Sequence, residues 1–429
     1  MLSADSRDGV LRLMEYLLTA EVYTKNEHLD IDDLPPPCRS LFMQGTEKPE
    51  VRRPVMVTEG LLKRVADPSG ESLKALLKNP FVEFDTLNLQ FHLTDMRAAA
   101  EWFAHHGGRE RIESNPVLAY YIGGFDSLGI DYGEVRGQNP RFADSRIALE
   151  SRIAAVMKKD EHLSEAMDLV LISAPEEIEQ QMDGLVCTAG QEEVIRRVRT
   201  AIENRDFLRE HRISEVGKLL FVGPPGTGKT SLALAISHEL HMPVLEVRLS
   251  MVTSQYLGET SKNIDRIFDL AKSLSPCILF IDEFDFVAKS RISDDHGAMK
   301  RAVNMLLKNI DRISLVKSGV VLIGATNHPQ LLDEAAWRRF DEVVEFALPD
   351  AAMREAILST LSRSLDCDGN LAEVAAITEG FSGADLKMTL KEAVLSALMD
   401  GRRSVVQDDL DGAVLNIARR GVIRTCSRG

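Results

Sequence analysis

The chain has 429 residues with 51 Lys+Arg against 66 Asp+Glu, a formal net charge of −15, and that length supports two or three hydrophobic cores rather than one. Up to residue 184 there are 20 basic and 32 acidic side chains, so −12 of the charge lies in the front part. This disfavours general binding to nucleic acid or an anionic membrane, because both need a basic surface.

Asp5, Arg7 and Asp8 interrupt the N-terminus where a signal peptide needs a basic start and an apolar centre, and no apolar run has the length to cross a bilayer. A cytoplasmic protein without a membrane span is expected. Region 1–184 reads as α+β. Val10, Leu11, Met14, Leu17 and Leu18 make one helix face, and Leu87, Leu89, Phe91 and Leu93 alternate with polar residues as in a half-buried strand. Thr94-Asp95 caps a short helix ending at Gly107-Gly108, and 146–161 returns to helix. Pro35-Pro36-Pro37 and the stretch 123–140 read as loops.

Region 185–349 alternates apolar runs with helical patterns, the signature of a parallel sheet sandwiched by helices. Strands are expected at 219–222, 244–247, 278–281, 320–325 and 343–346. The first runs into Gly223-Pro224-Pro225-Gly226-Thr227-Gly228-Lys229-Thr230, with Ser231 opening a helix behind it. Glycines at 223, 226 and 228 let backbone N–H groups turn toward phosphates, and the helix adds its positive end. In such a loop Lys229 reaches the β and γ phosphates and the Thr230 hydroxyl ligates Mg²⁺. ATP is the expected substrate.

The third strand ends in Asp282-Glu283, placing two carboxylates at the sheet edge where ligands sit in open α/β folds. Asp282 suits Mg²⁺ and Glu283 suits polarising an attacking water. Asn327 follows the next strand, where it is able to position that water or sense the γ phosphate. Arg338 and Arg339 come shortly after, and phosphoryl transfer often takes an additional cation supplied in trans. Beyond Pro349-Asp350 the pattern is wholly helical, at 351–365, 371–378, 383–399 and 407–420, with Ser382 and Asp385 opening the third helix as a capping box. A small all-α lid over 350–429 is expected. The five cysteines have no C-x-x-C spacing, which argues for reduced structural thiols, and His238-Glu239-Leu240-His241 lacks the spacing of a zinc protease motif.

Together these residues resemble an AAA+ ATPase module of the AAA subgroup over roughly 188–410, a single module behind a distinct N-terminal domain. Residues 223–230 are similar to the family's Walker A motif, 278–283 to Walker B, Asn327 to sensor 1, and 325–341 to the second region of homology, with Arg338 and Arg339 as paired fingers. Gly380-Phe381-Ser382-Gly383-Ala384-Asp385-Leu386 resembles the lid signature, in which Gly383 and Ala384 border the adenine. Tyr256 and Leu257 fall where relatives carry a pore loop, and a tyrosine ring grips polypeptide without regard to sequence. The stretch 289–296 reads equally as a second pore loop or a solvated loop. Two departures stand out. Cys187-Thr188-Ala189-Gly190 occupies the place of the common Asp-Ile-x-Gly, which bears on adenine contacts from this edge, and Gln255 stands where a lysine is common; the lack of a sensor-2 arginine near Gly383 fits the AAA subgroup.

The resemblance implies a homo-oligomeric ring, usually a hexamer, with ATP between subunits. The expected function is ATP-driven remodelling or unfolding of a protein client recruited by 1–184. An assembly or regulatory module that docks on its partner without threading it is the alternative, and a nucleic-acid motor is a third reading that the acidic front disfavours.

Overall fold

The computed structural model describes residues 4–44, 50–65, 70–123, 129–248, 260–285, 297–332 and 334–426. It divides into two compact units, Met1–Ser151 and Arg152–Gly429.

In the first unit the helix Ala4–Lys25 forms the centre of the core, with Val10, Leu13, Met14, Leu17 and Leu18 buried at helical spacing. Against it pack Met96–Phe103, whose N-cap Asp95 accepts from the Ala98 amide at 3.0 Å, and Pro116–Ile122, capped by Asn115. A hairpin of β1 (Val82–Asp85) and β2 (Gln90–Leu93) completes the α+β unit.

Three local expectations are corrected here. Only Phe91 and Leu93 of the alternating run lie in a strand. Leu87 and Leu89 are exposed in the hairpin turn, because Asp85 Oδ1 accepts from the amides of Leu87 and Asn88 at 2.8 and 3.3 Å and closes the chain early. The proline run opens a helix, Pro36–Phe42, since proline lacks only an N–H that a first helical turn leaves unbonded anyway. Within the expected loop 123–140 stands the helix Tyr132–Gln138, capped by Asp131.

The second unit is built on a six-stranded sheet of order β3-β5-β6-β7-β4-β8. Strands β4 (Lys218–Val222), β5 (Val244–Arg248), β6 (Cys277–Asp282), β7 (Val320–Thr326) and β8 (Glu342–Glu345) are parallel. All of β7 and the first five residues of β6 are buried. Continuous burial without alternation means that both faces are covered, as a helix-sandwiched sheet requires.

The short β3 (Leu171–Ser173) pairs antiparallel with β5, and Arg152 donates to the carbonyls of Leu274 and Pro276. Residues 152–184 therefore belong with the sheet, and the division falls at Ser151 instead of near Gly184. Three residues are too few to give β3 a periodic signal of its own.

Ala351–Ser362, Leu371–Ile377, Gly383–Met399 and Gln407–Cys426 follow as a helical lid with its own core of Leu358, Val374, Leu386, Leu390 and Leu410. Buried Arg354 ties this lid to the chain entering it, donating to Ala375 O at 2.8 Å and Pro349 O at 2.9 Å. Among the described residues no helix is long and apolar enough to cross a membrane.

Candidate functional site

Strand β4 hands over to the helix Lys229–Glu239 through residues 223–228, at the carboxyl edge of the sheet. Gly223, Gly226 and Gly228 all have positive φ. At two of them only glycine fits: a Cβ on Gly223 would lie 2.1 Å from Phe346 O, and one on Gly226 2.7 Å from Ser382 Oγ. The loop is thus held between β8's exit and the lid. Lys229 is 7% exposed, and its ammonium donates to Gly223 O at 2.8 Å and Pro224 O at 2.7 Å. Burial lowers its pKa, with the Asp282 carboxylate acting in the opposite direction.

At the end of β6 the ladder with β7 resumes at Phe284, whose amide donates to Ala325 O at 2.8 Å, so Glu283 stands outside it. Glu283 is exposed with φ +55, a left-handed conformation uncommon for a side chain of this size, and its amide donates to Asp282 Oδ1 at 2.7 Å. Sequence placed the two acids side by side. The backbone turn is what separates them into two environments.

Asn327 follows β7 directly, after Thr326, whose hydroxyl accepts from the His328 amide at 3.0 Å. The arginine turn is fixed on its C-terminal side. Phe340 meets Phe284 edge-on at 5.2 Å between ring centroids, and Asp341 Oδ2 accepts from the Lys218 amide at 3.0 Å. Arg338 is exposed and pairs with Glu334 on its own short helix, whereas Arg339 is held by Asp311 and the carbonyls of Leu307 and Ala335.

A cavity of about 590 Å³ gathers most of the expected site: residues 225–231, Asp282, Asn327, Gly383 and Ala384 all line it. The lid helix Gly383–Met399 reaches the loop through Ala384, whose amide donates to Gly226 O at 3.0 Å. Gly223 and Pro224 contribute only the carbonyls that hold Lys229. Glu283, Arg338 and Arg339 are not in the wall. Tyr256, Leu257 and the stretch 289–296 lie outside the described residues. The chemistry fits a nucleoside triphosphate with Mg²⁺: a positive-φ glycine loop at a helix N-terminus, one desolvated ammonium, and the hard oxygen donors Thr230 and Asp282 on one wall.

The model of the ATPase family associated with various cellular activities (AAA) matches residues 219–348, and that of the AAA+ lid domain matches 368–412. The uncharacterized AAA family ATPase y4kL of Sinorhizobium fredii is 36% identical over 245 residues, which are 57% of this chain and 73% of that protein. The chain belongs to the AAA ATPase family.

This AAA ATPase is also 35% identical to the proteasome-activating nucleotidase of Methanoregula boonei, over 57% of each chain. Identity to the ATP-dependent zinc metalloprotease FtsH of Clostridium perfringens is 40%, over 53% of this chain and 33% of that one. It therefore spans only part of the length of these two relatives. The crystal structure of the FIGL-1 AAA domain superposes with a TM-score of 0.51 at 26% identity, covering 59% of this chain and 88% of that one.

Sequence reasoning missed part of the cavity wall. Val186 and Gln191 line it before β4, beside Cys187, whose segment the resemblance had marked, and Ile357, Leu361 and Lys387 line it from the lid. One signal pointed to the first group: Thr188 and Gln191 form a reciprocal capping box, with Gln191 also donating to Glu345 O at 3.3 Å. That box sets the chain before it against the site, although Cys187 stands where the family commonly has aspartate.

Proposed function

We propose that this AAA ATPase hydrolyses ATP with Mg²⁺ between the subunits of a homo-oligomeric ring, a hexamer, and couples each turnover to remodelling or unfolding of a protein client. The carrying observation is the convergence of Lys229, Thr230, Asp282 and Asn327 on one cavity while Arg338 and Arg339 stand outside its wall. Lys229 and the loop amides bind the phosphates, Thr230 and Asp282 hold the metal, Glu283 takes a proton from the attacking water, and Asn327 orients it. Mg²⁺ when bound neutralises charge on the phosphate oxygens. Arg338 and Arg339 serve the cavity of the adjacent subunit.

A protein client is supported by the names of two similar proteins, one a proteasome-activating nucleotidase and the other an ATP-dependent metalloprotease. Unit 1 recruits that client, in the cytoplasm. Tyr256 grips it, with Leu257 beside it. Tyr256→Ala is expected to keep ATP turnover within about twofold and to lose nearly all unfolding of a fluorescent client, because the ring's apolar face is what transmits force. Full remodelling by this variant would instead favour action by docking.

Arg338→Ala and Arg339→Ala are each expected to lower hydrolysis about 1000-fold or more with ATP binding retained, the effect of losing an arginine finger. Exposed Arg338 should leave the thermal midpoint unchanged, while Arg339→Ala should reduce it by freeing Asp311. Mixing either variant with Lys229→Ala protein should restore part of the turnover. No recovery in any mixture refutes action in trans.

A further inference from the structure

We propose that Gln180 reads the edge of the nucleotide's base and makes this cavity selective for adenine, an inference that rests on the nucleotide reading of the cavity. The AAA family model begins its match at residue 219, so the segment carrying Gln180 lies before the matched regions. That segment, 174–185, is a strap pinned at each end. Where it begins, Ile172 of β3 pairs with Leu245, the Ala174 amide donates to Glu177 Oε2 at 2.7 Å, and Ile178 is buried with Leu232, Ala233 and Ile236 of the helix behind the phosphate loop. Where it ends, the turn Met182–Gly184 closes through the Gly184 amide donating to Gln181 O at 3.1 Å, and Arg363 donates to Asp183 O at 3.3 Å. Gln180 is held between these fixed points.

The anchors also place the residue at one end of the cavity. Gly226 to Thr230 mark the phosphate end, whereas Val186, Ile357 and Leu361 form an apolar wall suited to a flat base. Arg363 follows Leu361 by two residues, so its bond to Asp183 O joins the strap to the helix that carries part of that apolar wall. Gln180 is three residues before Asp183, a chain distance of at most about 11 Å, which sets it on the base side. Glu179 and Gln181 line the cavity too, but both are exposed. Gln180 is half-buried, and no hydrogen bond engages its amide among the described residues. Amides drawn out of water are ordinarily hydrogen-bonded. A primary amide offers an acceptor and a donor side by side, which matches the 6-amino group of adenine and the ring nitrogen next to it.

The test compares the affinity of the full chain for ADP and for purine riboside diphosphate, which lacks the 6-amino group, by competition against a fluorescent ADP analogue. The wild type is expected to prefer ADP about five- to tenfold, and Gln180→Leu to bind both ligands alike, the effect of removing one such hydrogen-bonded pair. Arg363→Ala, which frees the strap and leaves Gln180 in place, is expected to narrow the preference about twofold. Inorganic tripolyphosphate should bind both variants as it binds the wild type, showing the phosphate loop intact. Full preference for ADP in Gln180→Leu, or none in the wild type, overturns the inference and leaves the nucleotide site standing. An equal loss for both diphosphates in Gln180→Leu overturns the assignment to the base edge, and absence of ADP binding by the wild-type chain overturns the nucleotide reading itself.

Discussion

Glu283→Gln is expected to bind ATP as tightly as the wild type and to hydrolyse it about 100- to 10,000-fold more slowly, the range associated with removing a general base. The geometry argues that little else changes. Glu283 is exposed and outside the cavity wall, and among the described residues its one hydrogen bond is the backbone amide donating to Asp282 Oδ1, which glutamine keeps. The left-handed backbone at φ +55 carries a strain that glutamine and glutamate share. Steady-state phosphate release and equilibrium ATP binding separate the two effects. Normal turnover would show that Glu283 does not act on the attacking water. Because the variant holds ATP, it should also retain clients that the active protein releases, and affinity capture with it in ATP is the direct route to their identity.

Lys229→Ala is expected to lower ATP affinity about 1000-fold, the worth of one ammonium near the phosphates at the effective dielectric of a protein site. Its present geometry adds a pH signature. Burial lowers the Lys229 pKa, and the Asp282 carboxylate offsets that only in part. Phosphates favour the charged form, so binding raises that pKa. The sign follows: affinity is greatest where Lys229 is already protonated and declines as pH rises through the lowered value, sooner than for an ordinary lysine. Calorimetry in buffers of different ionisation enthalpy should detect proton uptake on binding at alkaline pH in the wild type and none in the variant. ATP affinity in Lys229→Ala equal to wild type would remove the phosphate loop from the binding account.

Much of the second unit was legible because its parallel strands are continuous apolar runs. Observed strands fall within about a residue of the expected ones, as at Lys218–Val222 and Cys277–Asp282. A buried parallel strand advertises itself without reference to its neighbours. The phosphate loop was legible for a related reason, since Gly223 and Gly226 answer to local backbone demands and to packing that excludes any side chain.

What failed to show was decided by partners distant in sequence. β3 exists because Ile172 pairs with Leu245, and three residues carry no period by themselves. Leu87 alternated correctly and still lies in a turn, because Asp85 accepted the amides that a strand would have offered to a neighbour. Val186, Ile357 and Leu361 became cavity wall through folding alone. Motif residues announce chemistry through local spacing. The residues that surround the ligand are chosen by where helices and strands meet, and that depends on side-chain packing summed over the whole unit. Sequence alone therefore placed a glycine-rich loop of phosphate-binding pattern at the end of a buried strand; the tertiary structure decided that Glu283 and Asp282 part company, that the two arginines stay out of the cavity wall, and that lid residues complete that wall.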